Sequence, residues 1–346
     1  MALADEVMAV RTSVTVADGE HLAAVRVSGR DAHELLDRVS PRQLFVRSGQ
    51  MLHTLFLDDA AKPIADVYVC CDEDDYLVIA EGLDGQALAA YLRSQRDGLD
   101  VQLDDRASTH AFVCVDGPYA WELIAEVTSP DVIGVPYLSF FHDARFTCFR
   151  AGKAGEYGYD LLVPREHLSS VRERLLDAGQ AFDVQVASRD ALDTCALEAG
   201  FFNVRHEVRD GLTPVELQLQ WRVTAGRAHP GHETLARRRG AVVQRVAMIA
   251  APSALPTDGV LELGGVRVGR ILHTRWSYVR DEQIALALLD VGVSYAGLRG
   301  FHCGETPVRT ISAPTVNNRS LYVDPQRHSW ARRASVSFPA LTRPIT

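Results

Sequence analysis

No apolar run in this chain approaches the roughly 20 residues that a membrane-spanning helix needs. Its opening, Met1-Ala-Leu-Ala-Asp-Glu6, has neither a basic stretch nor a cleavable apolar segment. A cytoplasmic protein with no membrane partner is the expectation. Positive charge is not in excess either: 36 Lys and Arg against 45 Asp and Glu give a net charge of −9. Proteins that wrap duplex nucleic acid are usually basic, so no nucleic-acid partner is expected. Cysteine is sparse and unpatterned. Cys70, Cys71, Cys114, Cys148, Cys195 and Cys303 include no C-x2-C pair and mostly sit in apolar runs, which reads as packed thiols in a reducing compartment. No Lys-Ser/Thr follows a glycine-rich loop, no strand-to-helix G-x-G-x-x-G exists, and no G-x-S-x-G elbow exists. P-loop, dinucleotide-binding and α/β-hydrolase chemistry are thereby set aside.

What remains is an ordinary globular composition over 346 residues, 47% hydrophobic, 23% charged and 8% aromatic. At roughly 150 residues per domain, about two domains or one large one with an appendage is expected. The pattern mixes α and β. Leu22–Val27 reads as a strand, Gly29 breaks it, and 31–39 reads as a helix with Leu35, Leu36 and Val39 on one side. A second strand–Gly–helix unit follows at 111–115, Gly117 and 119–127. The glycines are 117 − 29 = 88 residues apart, and this offset superposes Glu34 on Glu122, Leu35 on Leu123 and Val39 on Val127. Both units then reach Ser-Pro, at Ser40-Pro41 and Ser129-Pro130. Two copies are too few for a solenoid, so the pattern indicates a duplicated module.

Further strands are expected at 52–57, 64–70, 76–80, 146–150 and 159–163. Helices are expected from Asp84 to about Arg96, over 166–176, and from the Ser188 cap to Leu197, stopped by Gly200. From about Val242 short β-like segments at 243–250, 260–263, 266–272 and 283–289 suggest a small β-barrel, with 236–240 as the linker. The expected domains are duplicated modules over 1–50 and 100–240 with 51–99 interleaved, a barrel over 241–323, and a basic, aperiodic, poorly ordered tail over 324–346.

Few positions show chemistry by themselves. His229-Pro-Gly-His232 has a metal-like spacing, but it lies in a Gly/Pro loop without a supporting Cys or carboxylate cluster, so a solvated loop is expected and no metal. Asp66 interrupts the apolar strand Ile64-Ala-Asp-Val-Tyr-Val69 and shares a face with Ile64 and Tyr68 by period-2 alternation. Read alone, it is better taken as a solvent-facing residue on a half-covered sheet than as a site. Glu198 ends an apolar helix, and Asp160 follows a glycine-rich turn. None of these spacings names a reaction.

Their ordered set does. Leu197-Glu-Ala-Gly200, His206-Glu207, Thr213-Pro-Val-Glu216 and Trp221 follow one another, preceded by Arg150-Ala-Gly-Lys-Ala-Gly-Glu-Tyr-Gly-Tyr-Asp160 and by the gapless stretch from Thr54 to Asp66. Val7-Met-Ala-Val-Arg-Thr-Ser-Val14, Gly269-Arg-Ile-Leu272 and Ile284-Ala-Leu-Ala-Leu288 extend the match over nearly the whole chain. In this the chain resembles the glycine-cleavage T-protein (aminomethyltransferase) superfamily. The resemblance implies an α+β fold of three domains in a cloverleaf, with two related α+β modules and a C-terminal β-barrel. It also implies a central site for tetrahydrofolate or 5-methyltetrahydrofolate. Asp66 falls on the catalytic carboxylate. Asp160 falls on the acid that pairs with the pterin, and Tyr68, Glu198, Arg189 and Trp221 are the remaining candidate cofactor contacts.

Departures accompany the match. Leu192 stands where an Arg is usual, with Arg189 one turn earlier; Lys153-Ala154 replace Tyr-Thr, and Glu81 replaces an Asn. The roughly 30-residue T-protein segment ending near F-A-G-W-E-M-P has no counterpart in this sequence. The expectation is a folate-dependent methyl or other one-carbon transferase, or a demethylase, acting on a small-molecule substrate and not on the glycine-cleavage intermediate. The alternatives are a folate-independent enzyme of specialised metabolism on the same scaffold, and a non-catalytic folate-binding protein of the iron–sulfur-maintenance type. The latter's K-G-C-x-x-G-Q-E motif has no counterpart at Glu198–Glu207, where Cys and Gln are missing.

Overall fold

The computed structural model describes residues 2–344. The chain builds one antiparallel sheet, a second sheet that is antiparallel except for a parallel pairing of Thr15–Asp18 with Gln185–Val186, and a barrel. The first sheet orders its five strands as Met51–Leu57, Pro63–Asp72, Asp75–Glu81, Leu22–Ser28 and Gln102–Asp105. Helices Ala32–Val39 and Gly85–Ser94 cover one face, burying Leu35, Leu36, Val39, Leu88 and Leu92 against Val25, Val27, Val67 and Val69. The second sheet has six strands, in the order Gln185–Val186, Thr15–Asp18, His110–Asp116, Gly158–Pro164, Thr147–Phe149 and Phe140–His142. Ala120–Val127 and Leu168–Gly179 cover it in the same manner. Six strands between Gln244 and Ile311 close into the barrel.

The repeat is physical. Gly29 and Gly117 both have positive φ, 110° and 139°, and a Cβ at either would strike backbone of a neighbouring segment, at Asp100 and Ser13 respectively. Leu35 and Leu123, superposed by the 88-residue offset, are both fully buried. The uncovered faces of the two sheets meet over Ala24, Met51, Tyr68, Cys70, Ile79, Phe112, Phe140, Phe149 and Leu162. Period-2 alternation on the strand Pro63–Asp72 therefore sends Cys71 under the helices and Cys70 between the sheets. All six cysteines are free thiols.

Several expectations change. Residues 51–81 are not an interleaved piece: their three strands hydrogen-bond in series onto Leu22–Ser28 and complete the first module. Thr15–Asp18, expected in the first module, pairs with His110–Asp116 of the second. The 236–240 linker belongs to the helix His232–Arg239. The tail past Asp324 is not loose up to Pro344. Trp330 is buried edge-on to Tyr119 at 5.3 Å, its backbone N–H donates to Glu122 Oε2 at 2.7 Å, and Phe338 packs against the same core. Its basic, aperiodic composition hid two aromatic anchors; Ile345 and Thr346 lie outside the described residues.

The N-terminal helix Leu3–Thr12 is tied to the second module and the tail at Arg11, which is fully buried. Its guanidinium donates to Glu198 Oε2 (2.9 and 3.1 Å), to the Ala154 and Cys195 carbonyls (2.6 and 2.9 Å) and to Asn318 Oδ1 (3.2 Å). One side chain thus joins the first helix, the glycine-rich turn, the helix Arg189–Ala199 and the tail. Removing one partner of a buried pair strands the other charge. Arg11→Leu is expected to lose about 3–5 kcal/mol in urea unfolding, and Arg11→Leu/Glu198→Leu to recover a large part of that loss.

Candidate active site

Asp66 lies at the meeting of the two sheets, 2% exposed, because the second module covers the face that it shares with Tyr68. Its cross-strand neighbours are Leu55 and Glu81. Two carboxylates directly opposite each other repel, and cations from elsewhere in the chain resolve the conflict. Lys153, from the turn between Phe149 and Gly158, brings its Nζ to 2.7 Å from Asp66 Oδ2 and also pairs with Glu81. The Asp66 contact is an ion pair too oblique for a well-directed hydrogen bond. Arg222 Nη1 donates to Asp66 Oδ1 at 2.6 Å, and His53 Nε2 shares that oxygen at 2.7 Å. Burial alone would raise the Asp66 carboxyl, but Lys153, His53 and Arg222 override it and hold Asp66 well below the usual carboxylate range. Burial lowers His53, which stays neutral and donates its Nε2–H.

The ionic chain continues outward. Arg205 donates from Nε to Glu81 at 2.7 Å and pairs with Asp193, which also meets His206 at 3.1 Å, Asn203 at 3.0 Å and Arg275 of the barrel at 3.4 Å.

Two cavities flank this cluster. A narrow polar one, about 50 Å³, is lined by His21, Tyr68, Glu81, Cys114, Asp116, Lys153, Asp160 and Leu192 among others. Phe202 borders both it and a larger one of about 830 Å³. His53, Arg222 and Glu207 break the larger cavity's mainly apolar wall of Leu217, Leu219, Val246, Met248 and Leu286.

Asp160, on the strand Gly158–Pro164 opposite Cys114, faces the polar cavity. Burial pushes its carboxyl up to about 6, against the opposing pull of Cys114 and Lys153. Tyr68 stacks on His53 at 4.3 Å, and its buried hydroxyl has no partner among the described residues. Trp221, 61% exposed, sits at the rim of the larger cavity with the Arg222 guanidinium 4.8 Å from its ring centre. Tyr68 and Asp160 thus line the narrow cavity and Trp221 the rim of the larger one, while Asp66 lines neither and touches Lys153 of the first and His53 and Arg222 of the second.

Two expected contacts are placed elsewhere. Glu198 is fully buried, but Arg11 takes Oε2 and the Ser277 hydroxyl donates to Oε1 at 2.5 Å. Glu198 thus anchors the N-terminal helix and the barrel strand Val266–Ser277, with both oxygens engaged within the protein. Arg189, in the first turn of its helix, lines neither cavity; Leu192 does. His53, Lys153, Glu81, Arg205 and Arg222 were not expected as site residues. Their signal was available for Lys153 and Glu81, two departures of opposite charge that cancel in space. His229 and His232 hold backbone carbonyls through Nδ1, at 2.8 and 3.0 Å, and His229 is buried instead of solvated.

Two α+β modules and a barrel around a buried carboxylate define the class: an aminomethyltransferase-like transferase fold. The GCVT N-terminal domain model matches residues 1–227, and the chain belongs to that family. The aminomethyltransferase of Thermotoga maritima is 25% identical over 297 residues, 84% of this chain and 82% of that protein. The aminomethyltransferase of Saccharopolyspora erythraea is 27% identical over 82% of this chain and 80% of its own length. The glycine cleavage system aminomethyltransferase T of Bartonella henselae superposes with a TM-score of 0.81 at 19% identity, covering 92% of this chain and 90% of its own. That likeness concerns the fold. Among the described residues no helix is long and apolar enough to cross a membrane.

The raised Asp160 has a consequence for stability. Between about 4, the unfolded value, and about 6 the folded chain holds a proton that the unfolded chain has lost. Stability from this group is therefore full below that window and is lost as pH rises through it. Asp160→Asn is expected to be near neutral at pH 4 and to stabilise by about 1–3 kcal/mol at pH 8, read from denaturation at both pH values.

Proposed function

We propose that this chain transfers a one-carbon unit between reduced folate and a small molecule other than the glycine-cleavage intermediate. The observation that carries the reading is Asp160: a buried carboxyl, facing a cavity, with no cation in direct contact. A pterin presents an N–H and an amino group side by side, and a carboxylate accepts both. The orphaned Tyr68 hydroxyl at the same cavity supports this fit, since a buried polar group without a partner is costly unless a ligand uses it. The polar cavity admits the edge of such a ring, and the larger one has room for the body and tail of the molecule. Trp221 offers an aromatic wall there, and Arg42 and Arg222 offer positive charge to carboxylates.

Reduced folate supplies, when bound, a nitrogen that carries the one-carbon unit. The residues around it have separable tasks. Asp66, locked by Lys153, Arg222 and His53, keeps its negative charge at any pH near neutrality. It stabilises positive charge that develops beside it and does not act as a store for protons. The two modules shut water out of the junction where Asp66 lies.

A second reading has its own support. Lys153 and Glu81 occupy much of the polar cavity, and Leu192 withholds a positive charge from it, which suits a ligand smaller than a pterin and an enzyme that uses no folate.

Titration calorimetry with tetrahydrofolate and 5-methyltetrahydrofolate separates the two. Binding is expected, weakened by about 1.5–3 kcal/mol in Asp160→Ala, the scale of hydrogen bonds to a charged group. Absence of heat at high micromolar concentrations of either would sink the folate reading. For Asp66→Asn, folate affinity is expected to stay within about tenfold while turnover falls by roughly 10²–10³, the range for one aimed electrostatic group. Single-turnover kinetics beside folate binding measure the difference, and unchanged turnover would leave Asp66 a purely structural anion.

A further inference from the structure

Glu207 belongs to the His206-Glu207 pair, which the function above does not use. It closes the short helix Val204–Glu207 and is 4% exposed, on the wall of the larger cavity. Among the described residues no side chain hydrogen-bonds its carboxyl. Its ionisable neighbour is His273, whose Nδ1 lies 3.9 Å from Oε1, beyond hydrogen-bond reach.

The tautomer of His273 can be assigned. Arg275 Nε donates to His273 Nε2 at 3.2 Å, and burial with the neighbouring His206 and Arg275 keeps the ring neutral. A neutral imidazole that accepts at one nitrogen carries its hydrogen on the other. His273 Nδ1–H is therefore a buried donor without a partner among the described residues, beside a carboxyl that no side chain hydrogen-bonds. His206 stacks on His273 at 4.5 Å and is itself held by Asp193. The Asn203 backbone N–H is hydrogen-bonded to the Glu207 carboxyl, and Lys153, Glu81 and Asp66 act on it from farther off.

We propose that Glu207 is the proton-exchanging group of the larger cavity, and that this cavity takes an apolar molecule carrying a basic or donor nitrogen. In the free protein the carboxyl keeps its proton. When the nitrogen arrives, the carboxyl O–H bond breaks and the proton passes to a basic nitrogen, or to solvent where the nitrogen brings its own N–H. No other bond changes. The carboxylate so formed meets the ligand on one side and His273 Nδ1–H, after a small rotation, on the other. Burial supports the first half of this cycle by pushing the Glu207 carboxyl up to about 8. Leu217, Val246, Met248 and Leu286 supply the apolar wall. The inference rests on the folate reading only in that this molecule is then the small-molecule substrate sharing the cavity of about 830 Å³ with the folate tail, and its test uses no folate.

The probe is benzylamine, an aromatic amine small enough for the cavity. Calorimetry at pH 7 in two buffers of different ionisation enthalpy is expected to show binding with release of about 0.5–1 proton. Glu207→Gln is expected to abolish the release and weaken binding at least about tenfold, the scale of losing a charge-assisted bond. His273→Phe keeps the ring stack and the carboxyl, guards against a folding defect in the first variant, and is expected to weaken binding severalfold. Infrared titration of the free protein is expected to show a protonated-carboxyl band that disappears with a midpoint of about 8 and is missing from Glu207→Gln. The proposal is overturned if benzylamine does not bind, if both proteins release protons equally, or if the two infrared titrations coincide.

Discussion

Two acids face each other across adjacent strands at Asp66 and Glu81, in a junction from which water is excluded. Neither acid can persist there as a charge unless the cation between them is supplied, and that cation, Lys153, comes from the other module. The charged cluster is therefore a property of the docked pair of modules. Separating them would leave two opposed carboxylates in the first sheet and an unpaired ammonium on the second. Arg222 and Arg205, both from the segment that follows the helix Arg189–Ala199, complete the neutralisation and carry the linkage on to Asp193 and the barrel residue Arg275. Breaking one member of such a network costs more than the pair itself is worth, because its neighbours stay buried and charged.

The same junction drives carboxyls in opposite directions. Asp66, Glu81 and Asp193 have cations in direct contact and are held below their ordinary values against the burial that would raise them. Asp160, Asp116 and Glu207 have burial without contact cations and are pushed up. The first group supplies permanent negative charge. The second includes Asp160 and Glu207, pushed up to about 6 and about 8, which front separate cavities. A division of this kind follows from where the few buried cations are spent.

How much of this was legible depended on range. Gly29 and Gly117, Leu35 and Leu123, and the left-handed cap at Gly200 are local features. Backbone conformation and helix periodicity impose them, so they stand in the sequence as spacing. The face of Asp66 was legible by alternation, but its burial was not, since the covering sheet comes from residues 110–164. Glu198 shows the reverse error. Its place in Leu197-Glu-Ala-Gly200 pointed to the site, while its partners Arg11 and Ser277 lie 187 and 79 residues away. Trp330 and Phe338 escaped for the related reason that single anchors have no period.

Lys153, Glu81 and Arg205 show what a charge can report before its partner is known. Each alone is a costly residue to bury. Lys153 without its acids would strand an ammonium in the polar cavity, and Glu81 without Lys153 and Arg205 would strand a second carboxylate opposite Asp66. Such residues are tolerable only together, so two unexpected charges of opposite sign at distant positions, each in an otherwise apolar or glycine-rich setting, imply one contact. That contact constrains the site chemically as well as structurally. By fixing Asp66 as an anion it removes Asp66 from proton traffic, and the traffic falls to the carboxyls left without cations.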